Sequence, residues 1–282
     1  MLREFIRFWT PAEKFRQLNL LDQEAPSYSL TREASAKRVH YCVFVVCLCL
    51  LALNYARGYD VFVDLSHGVA SLLGLPGDYF TAAINASAYS ELAQLAWWSA
   101  SHVLCYVLLP WLFIALVLKD SISQFGWRWN NTHRHWRGYL FLVVPIMVMV
   151  YFASQRSDFI QHYPFYSLTR RSIFDLVTWE ICYLIQFVCL EFFFRGFILQ
   201  ALRPAIGANA IWLMVPPYLM VHFSKPWLEA SGAIFFGLFL GILALRSRSI
   251  WGGFFVHCGV ALSMDFASLY QQGALPRNFW PQ

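Results

Sequence analysis

Seven long apolar stretches constrain this chain more than any other feature of its sequence. They cover residues 39–56, 94–118, 138–153, 173–201, 208–223, 230–245 and 250–268. A membrane-crossing helix needs roughly 20 mostly apolar residues, and somewhat shorter stretches also cross. Each crossing must be helical, because lipid offers no partner to backbone N–H and C=O groups. The sequence therefore predicts an all-α, polytopic membrane helix bundle with about seven transmembrane helices.

The composition excludes a water-soluble enzyme and a disordered chain. Hydrophobic residues make up 59% of the 282 residues and charged residues only 13%, whereas a soluble domain carries roughly 25% charged residues. The seven cysteines lie in apolar stretches and form no CxxC pair, which argues against a disulfide framework or a zinc finger. The net charge of +5 is spread over the loops and indicates membrane topology rather than nucleic-acid binding.

The pattern of apolar stretches divides the chain into four segments. Residues 1–38 are expected to form a cytoplasmic, polar and partly amphipathic lead-in, because their apolar residues recur at helical spacing. Residues 39–172 hold the first spans and, near 61–75, an interfacial segment that is too short and too polar to cross. Residues 173–268 hold the last four spans, and residues 269–282 form a C-terminal tail.

Ionisable side chains inside the spans are the candidates for function. A charge at mid-helix costs roughly 2.5–3.5 kcal/mol on insertion scales, so it usually faces the interior of a bundle. The spans carry His102, Glu180, Glu191, Arg195, His222, His257 and Asp265. Glu191 and Arg195 are four residues apart, so they share a helix face and can pair. Such a pair can also serve only to tie helices together, and a lone histidine is more often a hydrogen-bonded clamp than a catalyst.

Co-occurrence of these side chains in three neighbouring spans favours a functional site. His222 follows the prolines at 216–217, and His257 follows the glycines at 252–253. Both neighbourhoods are expected to loosen a helix and to open backbone groups near the histidine. Helix tilt can bring Glu191, His222 and His257 within reach of one another near the middle of the membrane.

Three short motifs follow one another in the last four spans. They are LEFFFRG at 190–196, YLMVH at 218–222 and a glycine-rich span that ends at His257. In this order they resemble the motifs of the CAAX protease and bacteriocin-processing (CPBP) family of intramembrane proteases, which makes 173–268 a CPBP-like catalytic core. That family has Glu-Glu-x-x-x-Arg, then an aromatic residue followed by three residues and a His, then His-x-x-x-Asn or Asp. The resemblance covers about residues 173–268.

The motifs match residue by residue, with two departures. Glu191 and Arg195 match the first motif, and Tyr218 and His222 match the second. The third motif is matched only by His257. Leu190 stands where the family has the first glutamate of its pair, and Ala261 stands where it has Asn or Asp. Two nearby acids are possible accessory residues: Glu180 shares the Glu191 stripe of its helix, and Asp265 lies one turn beyond Ala261.

The resemblance implies an intramembrane endopeptidase. Its substrate would be a membrane-associated peptide or protein, such as a prenylated C-terminus, a leader peptide or a C-terminal sorting signal. Hydrolysis needs a proton acceptor for water and donors for the oxyanion. We expect Glu191 to be the general base, with His222 helping it to polarise the water. His257 would donate to the oxyanion, and Arg195 would orient Glu191.

Three alternatives stay open from the residues alone. Glu191, His222 and His257 make a plausible zinc set, but no HExxH motif occurs and Arg195 would repel a cation, so no cofactor is expected. A protease-like subunit without activity, which binds or matures a membrane partner in a complex, would explain Leu190 and Ala261. A proton-coupled transporter also buries such groups, but the paired broken helices of inverted repeats are missing.

Loop charges predict the orientation in the lipid bilayer. With the N-terminus inside, the cytoplasmic side holds 14 Lys and Arg residues and the other side holds six. Because positive loops stay in the cytoplasm, we expect an integral membrane protein of the bacterial inner (plasma) membrane with a cytoplasmic N-terminus.

Two glycosylation sequons test this orientation. Asn85 (NAS) is expected outside and Asn130 (NNT) in the cytoplasm. When the chain is translated into microsomes, a mass shift that disappears in Asn85→Gln and persists in Asn130→Gln is expected. The reverse result would invert the topology.

Overall fold

All regular secondary structure in the described part of the chain is helical. The computed structural model describes residues 1–23, 30–225 and 227–281. The α-helices are α1 (Leu2–Phe8), α2 (Pro11–Gln23), α3 (Arg32–Ala56), α4 (Tyr59–Leu72), α5 (Ala82–Asn85), α6 (Ser90–His102), α7 (Leu109–Phe113), α8 (Trp136–Ala153), α9 (Ser157–His162), α10 (Ile173–Glu191), α11 (Leu199–Ile206), α12 (Ala210–Met220), α13 (Trp227–Ser247) and α14 (Trp251–Gln271). The all-α prediction is confirmed.

Short stretches of tighter or wider helix join several of these helices. The π-helical stretches are Val103–Leu108, Ile114–Leu118 and Phe192–Ile198. The 3₁₀ turns are Ile122–Gln124, Thr132–His135 and Gly207–Asn209. Val103–Leu108 and Phe192–Ile198 each join two α-helices into a longer helical run, whereas Ile114–Leu118 follows α7 and ends at Lys119.

Six helical runs among the described residues are long and apolar enough to cross a membrane. They are Arg32–Ala56, Ser90–Leu118, Thr132–Ala153, Ile173–Met220, Glu229–Ser247 and Trp251–Gln271. The run Ile173–Met220 has 48 residues, about 70 Å if straight, against a hydrocarbon core of about 30 Å. It contains two predicted spans and breaks between them at Gly207, whose φ is +61°. The chain is an integral membrane protein, and about seven spans agree with these runs.

The segment near 61–75 forms a short helix. It corresponds to α4, which has 14 residues and is not among the six runs. An interfacial position for α4 stays a prediction.

The chain forms two compact units, each built from three segments. The first unit comprises Met1–Leu48, Leu109–Ile146 and Leu190–His257. The second unit comprises Cys49–Leu108, Met147–Cys189 and Cys258–Gln282. This division differs from the four sequence segments, because the first unit combines the lead-in with part of the predicted core.

Apolar side chains of α8, α13 and α14 form the core of the first unit, and the lead-in packs on it. The buried members are Tyr139, Leu142, Phe239, Leu240, Leu243 and Val256. Phe8 and Trp9 pack against this cluster. At the other end of α2, Asp22 accepts a hydrogen bond from the backbone N–H of Ala208. The described lead-in is therefore part of the first unit.

Glu13 ties α1 to α2. Its carboxylate accepts hydrogen bonds from Arg16 (2.6 Å) and Arg7 (2.9 Å), although Glu13 itself is buried. The hydrogen bond from Arg16 is the main reason that the pKa of Glu13 falls to about 2. The acid is therefore charged at any physiological pH and holds the two helices together.

Lys14, the next residue, is buried between aromatic rings. It is 4% exposed, and its Nζ lies 3.4 Å from the centre of the Phe8 ring and 4.4 Å from that of Phe239. Cation–π attraction stabilises the ammonium there. Burial nevertheless lowers the pKa of Lys14 to about 8, so the charged form costs stability at neutral pH.

Removing the Lys14 charge should make the protein more stable at neutral pH. The pKa of Lys14 is about 8 in the folded protein and 10.5 in the unfolded chain, so between these pH values the unfolded chain binds more protons than the folded protein. The free energy of unfolding of the wild type should therefore rise across this range. Lys14→Met should stabilise the protein at pH 7 by about 1–2 kcal/mol, after the lost cation–π attraction is counted. Melting temperatures in detergent should show this advantage shrinking towards pH 10.5.

The exposed Lys37 provides the matched control for that measurement. Lys37→Met should leave the dependence of the melting temperature on pH unchanged, because Lys37 is 63% exposed. A Lys14→Met advantage that stays constant from pH 7 to pH 10.5 would show that Lys14 does not titrate in the folded protein.

Aromatic rings and buried acids organise the second unit. Trp179 of α10 is fully buried, lies 4.9 Å from the Tyr183 ring and donates a hydrogen bond to Asp265 of α14 (2.8 Å). At the start of α10, Asp175 is buried and pairs with Arg171 at 2.6 Å. These contacts hold α10 and α14, which carry the acids Glu180 and Asp265, in place within the second unit.

Candidate active site

Glu191 is the last residue of α10, and its side chain is fully buried. The π-helical stretch Phe192–Ile198 follows it directly, and all seven of its residues are buried. Local π-helix is rare and often marks functional sites. The run of phenylalanines closes this stretch to solvent, so Glu191 and Arg195 lie in an environment of low dielectric constant.

Glu191 and Arg195 pair as their spacing predicts. Arg195 Nη1 lies 3.0 Å from Glu191 Oε1, and both side chains are 0% exposed. The guanidinium also lies over the Tyr218 ring, 4.1 Å from its centre. The charge of Arg195 is thus compensated by a carboxylate on one side and an aromatic face on the other.

His257 of α14 contacts the same carboxylate. Its Nδ1 lies 2.9 Å from Glu191 Oε1 and 3.2 Å from the backbone oxygen of Gly253. Its Nε2 lies 3.0 Å from the Tyr218 hydroxyl. The backbone oxygen of Gly253 can only accept, so the neutral ring carries its proton on Nδ1, and Nε2 then accepts from Tyr218. Both nitrogens of His257 are therefore engaged.

His222 reaches this group through Tyr218. It lies in a turn two residues beyond the end of α12, and its Nδ1 donates to the backbone oxygen of Tyr218 at 2.8 Å. The two rings are 4.7 Å apart. Among the described contacts, Glu191 pairs with Arg195 and His257, so the place expected for His222 beside the carboxylate is taken by His257.

The glycines at 252–253 have a role different from the one expected. They lie in the first turn of α14, which is not loosened there. A Cβ at Gly253 would overlap the Glu191 carboxylate, and a Cβ at Gly252 would overlap the Tyr139 ring. The prolines at 216–217 likewise lie inside α12, which continues to Met220. The glycines allow close packing instead of loosening the helix, whereas α12 runs through the prolines and ends at Met220, two residues before His222.

Tyr139 of α8 is a neighbour that sequence reasoning missed. Its hydroxyl lies 3.3 Å from Ser247 Oγ, and it is close enough to Glu191 to sense its charge. No motif surrounds Tyr139 in the sequence. The only available signal was the absence of a side chain at Gly252, against which the ring packs.

The site has unused hydrogen-bonding capacity. Neither oxygen of Glu191 has a hydrogen-bond partner of suitable geometry among the described residues, although Nη1 of Arg195 and Nδ1 of His257 are near. The same holds for the nitrogens of Arg195. A buried carboxylate and a buried guanidinium with open positions can bind water and a polar group of a substrate.

The residues proposed from sequence as a zinc set do not fit a metal ion. Within the described residues, no three His, Cys, Asp or Glu side chains are arranged so that they could hold one. Nδ1 of His257 carries a proton, and Arg195 places a positive charge 3.0 Å from the Glu191 carboxylate. Both features oppose a cation at this position.

The remaining sequence candidates lie in the second unit. Glu180 and Asp265 are close enough to repel each other, and Asp265 is fully buried beside Trp179. His102 is also buried, and its Nδ1 donates to the backbone oxygen of Trp98 at 2.8 Å. This contact is that of a hydrogen-bonded clamp.

Gly253→Ala should displace the Glu191 carboxylate. The new Cβ would lie 2.6 Å from Glu191 Cδ, so a stability loss of about 1–3 kcal/mol is expected. Gly259→Ala on the same helix is the control, since a Cβ there has nothing within 4 Å. Melting temperatures in detergent should fall for Gly253→Ala only. Equal stability of the two variants would show that Glu191 is not held against Gly253.

Comparison with known proteins identifies one family. Residues 172–263 match the model of the type II CAAX prenyl endopeptidase Rce1-like family, which confirms the suspected resemblance. This segment contains Glu191, Arg195, Tyr218, His222 and His257. No match was found among curated proteins or among solved structures. At the level of the family, the match supports an intramembrane endopeptidase. The chain is thus a membrane protein whose residues 172–263 are similar to the Rce1-like type II CAAX prenyl endopeptidases.

Proposed function

We propose that this protein is a glutamate-dependent intramembrane endopeptidase that works without a metal ion. The observation that carries the proposal is the buried Glu191 carboxylate, which lies within 3.0 Å of both Arg195 and His257 in the segment that matches the protease family. Groups with this arrangement suit an acid–base reaction in a water-poor site.

Glu191 is the proposed general base. Its oxygens have no hydrogen-bond partner of suitable geometry among the described residues, so their lone pairs would bind a water molecule that enters the site. Arg195 and His257 both lie within 3.0 Å of Oε1 of this carboxylate and fix its orientation. General-base catalysis of this kind contributes about 10²–10⁴ to the rate.

His222 is the proposed second acceptor for the same water. Because its Nδ1–H is bound to the backbone oxygen of Tyr218, its Nε2 is the acceptor. Tyr218 therefore positions both histidines, with its backbone oxygen on His222 and its hydroxyl on His257.

Arg195 suits the oxyanion better than His257 does. His257 donates its Nδ1–H to the backbone oxygen of Gly253 and accepts from Tyr218 at Nε2, which leaves it no further N–H to offer. Arg195 keeps N–H groups without hydrogen bonds among the described residues. In a site of low dielectric constant these donors would strongly stabilise a developing negative charge. We therefore move the proposed oxyanion role from His257 to Arg195.

The proposed substrate is a membrane-associated peptide or protein, cleaved at a prenylated C-terminus, a leader peptide or a C-terminal sorting signal. The family similarity supports the prenylated C-terminus in particular, since the matching model describes prenyl endopeptidases. We also propose that the N-terminus lies in the cytoplasm of a bacterium, on the basis of the loop charges.

A second function is favoured by two buried positions. Leu190 and Ala261 are 6% and 4% exposed, and both are apolar where the family carries polar motif residues. A catalytically inactive subunit that binds or matures a membrane partner would need neither residue.

Glu191→Gln separates the two functions. Purified wild-type protein in liposomes should cleave a farnesylated CAAX peptide, and Glu191→Gln should lower kcat/KM by about 10²–10⁴-fold because it removes the base. The metal chelator phenanthroline should leave the wild-type rate unchanged. Peptide cleavage is measured by mass spectrometry, and melting temperatures show that the variant is folded.

Glu180→Gln is the matched control, since Glu180 belongs to the second unit. It should retain the wild-type rate. Wild-type activity in Glu191→Gln would overturn the assignment of the base, and loss of activity in Glu180→Gln alone would identify Glu180 as the base. No cleavage by the wild-type protein, together with normal maturation of a partner in cells, would favour the inactive subunit.

A further inference from the structure

A groove of about 600 Å³ runs between α10 and α14 in the second unit. Its lining is apolar except for one acid and one hydroxyl: Leu176, Val177, Glu180, Ile181, Leu184, Leu262, Ser263, Phe266 and Leu269. Val177, Ile181 and Phe266 are 49%, 54% and 58% exposed. In a membrane-spanning segment, such exposure is to lipid or to another protein.

Glu180 is the single ionisable group in this lining. Its Oε2 is closed to solvent and has no hydrogen-bond partner among the described residues. Asp265 lies close enough to repel it, and Asp265 itself accepts a hydrogen bond from Trp179. The lining of the groove therefore contains one carboxyl group and no Lys, Arg or His side chain.

Lipid chains would fill the volume of the groove but would offer no hydrogen-bond partner to Glu180. An acidic side chain at mid-membrane costs roughly 2.5–3.5 kcal/mol on insertion scales unless it finds a partner. Ser263 does not provide one, because its hydroxyl donates to the backbone oxygen of Gly259 at 2.6 Å. A hydrogen-bond donor or a positive charge from outside the chain would fit this position.

The α14 side of the groove suits close approach by another helix. Gly259, Ser263 and Ala267 recur at intervals of four residues, and a Cβ placed on Gly259 would have nothing within 4 Å. Small residues at this spacing allow helix backbones to approach closely in membranes. Together with the acid, this stripe favours a helix over a lipid chain.

We propose that the groove binds a transmembrane helix of a partner protein that carries a lysine or arginine near its middle, and that this base pairs with Glu180. The partner's apolar residues would cover Val177, Ile181 and Phe266. This inference does not depend on the proposed protease activity.

A second copy of the chain would not supply the base. In the seven apolar stretches the only Lys or Arg is Arg195. Arg195 is 1% exposed and pairs with Glu191. The partner is therefore a different protein.

A synthetic helix tests the proposal directly. Two labelled transmembrane peptides of Leu and Ala are prepared, one with a central lysine and one with leucine at that position. Each is titrated against labelled full-length protein in phospholipid nanodiscs, and binding is measured by energy transfer. The lysine peptide should bind wild type at least about tenfold more tightly than the leucine peptide, which corresponds to 1.4 kcal/mol. Glu180→Gln should abolish this difference.

Two further variants keep the test decisive. Glu229→Gln, an acid outside the groove, should keep the preference for lysine. Ser263→Leu should fill the groove and weaken binding of both peptides while leaving Glu180 in place. Equal binding of the two peptides to wild type, or a lysine preference that survives Glu180→Gln, would overturn the proposal. Energy transfer between copies of the chain that is lost in Ser263→Leu would assign the groove to self-association instead.

Discussion

The ion pair between Glu191 and Arg195 is the interaction on which the candidate site depends. Two buried charges are costly to desolvate, and removing one partner of such a pair typically costs 3–5 kcal/mol. Three neighbouring residues reduce the free-energy cost of burying this pair. The Tyr218 ring lies against the guanidinium, Nδ1 of His257 lies 2.9 Å from the carboxylate, and Gly253 leaves space for it. One pair thus brings together Glu191, Tyr218, Gly253 and His257 within the first unit.

The sequence was sufficient for features that depend on local spacing. The spans follow from the length of apolar stretches, and the pairing of Glu191 with Arg195 follows from their separation of four residues. The family resemblance follows from three motifs in order, and the Rce1-like match to residues 172–263 confirms it. Each of these features depends on residues that are near each other along the chain, so no knowledge of packing was needed.

Features that depend on packing between distant segments were not predictable in the same way. Helical periodicity does not reveal that His257, rather than His222, contacts Glu191, because that depends on how α14 meets α10. Gly253 looked like a helix breaker, yet the first turn of a helix has unpaired N–H groups in any case, and the absent side chain instead makes room for the acid. Tyr139 carries no local signal at all.

The hydrogen bonds of His257 have a fixed order of donors and acceptors. The backbone oxygen of Gly253 accepts the Nδ1 proton of His257, so Nε2 is left to accept the hydroxyl proton of Tyr218. Each donor polarises the next one along such a chain. Because Gly253 holds the Nδ1 proton, this order of donors does not depend on the charge of Glu191. A backbone oxygen in the first turns of α14 therefore sets the direction of a hydroxyl proton on α12 by the orientation of protons alone.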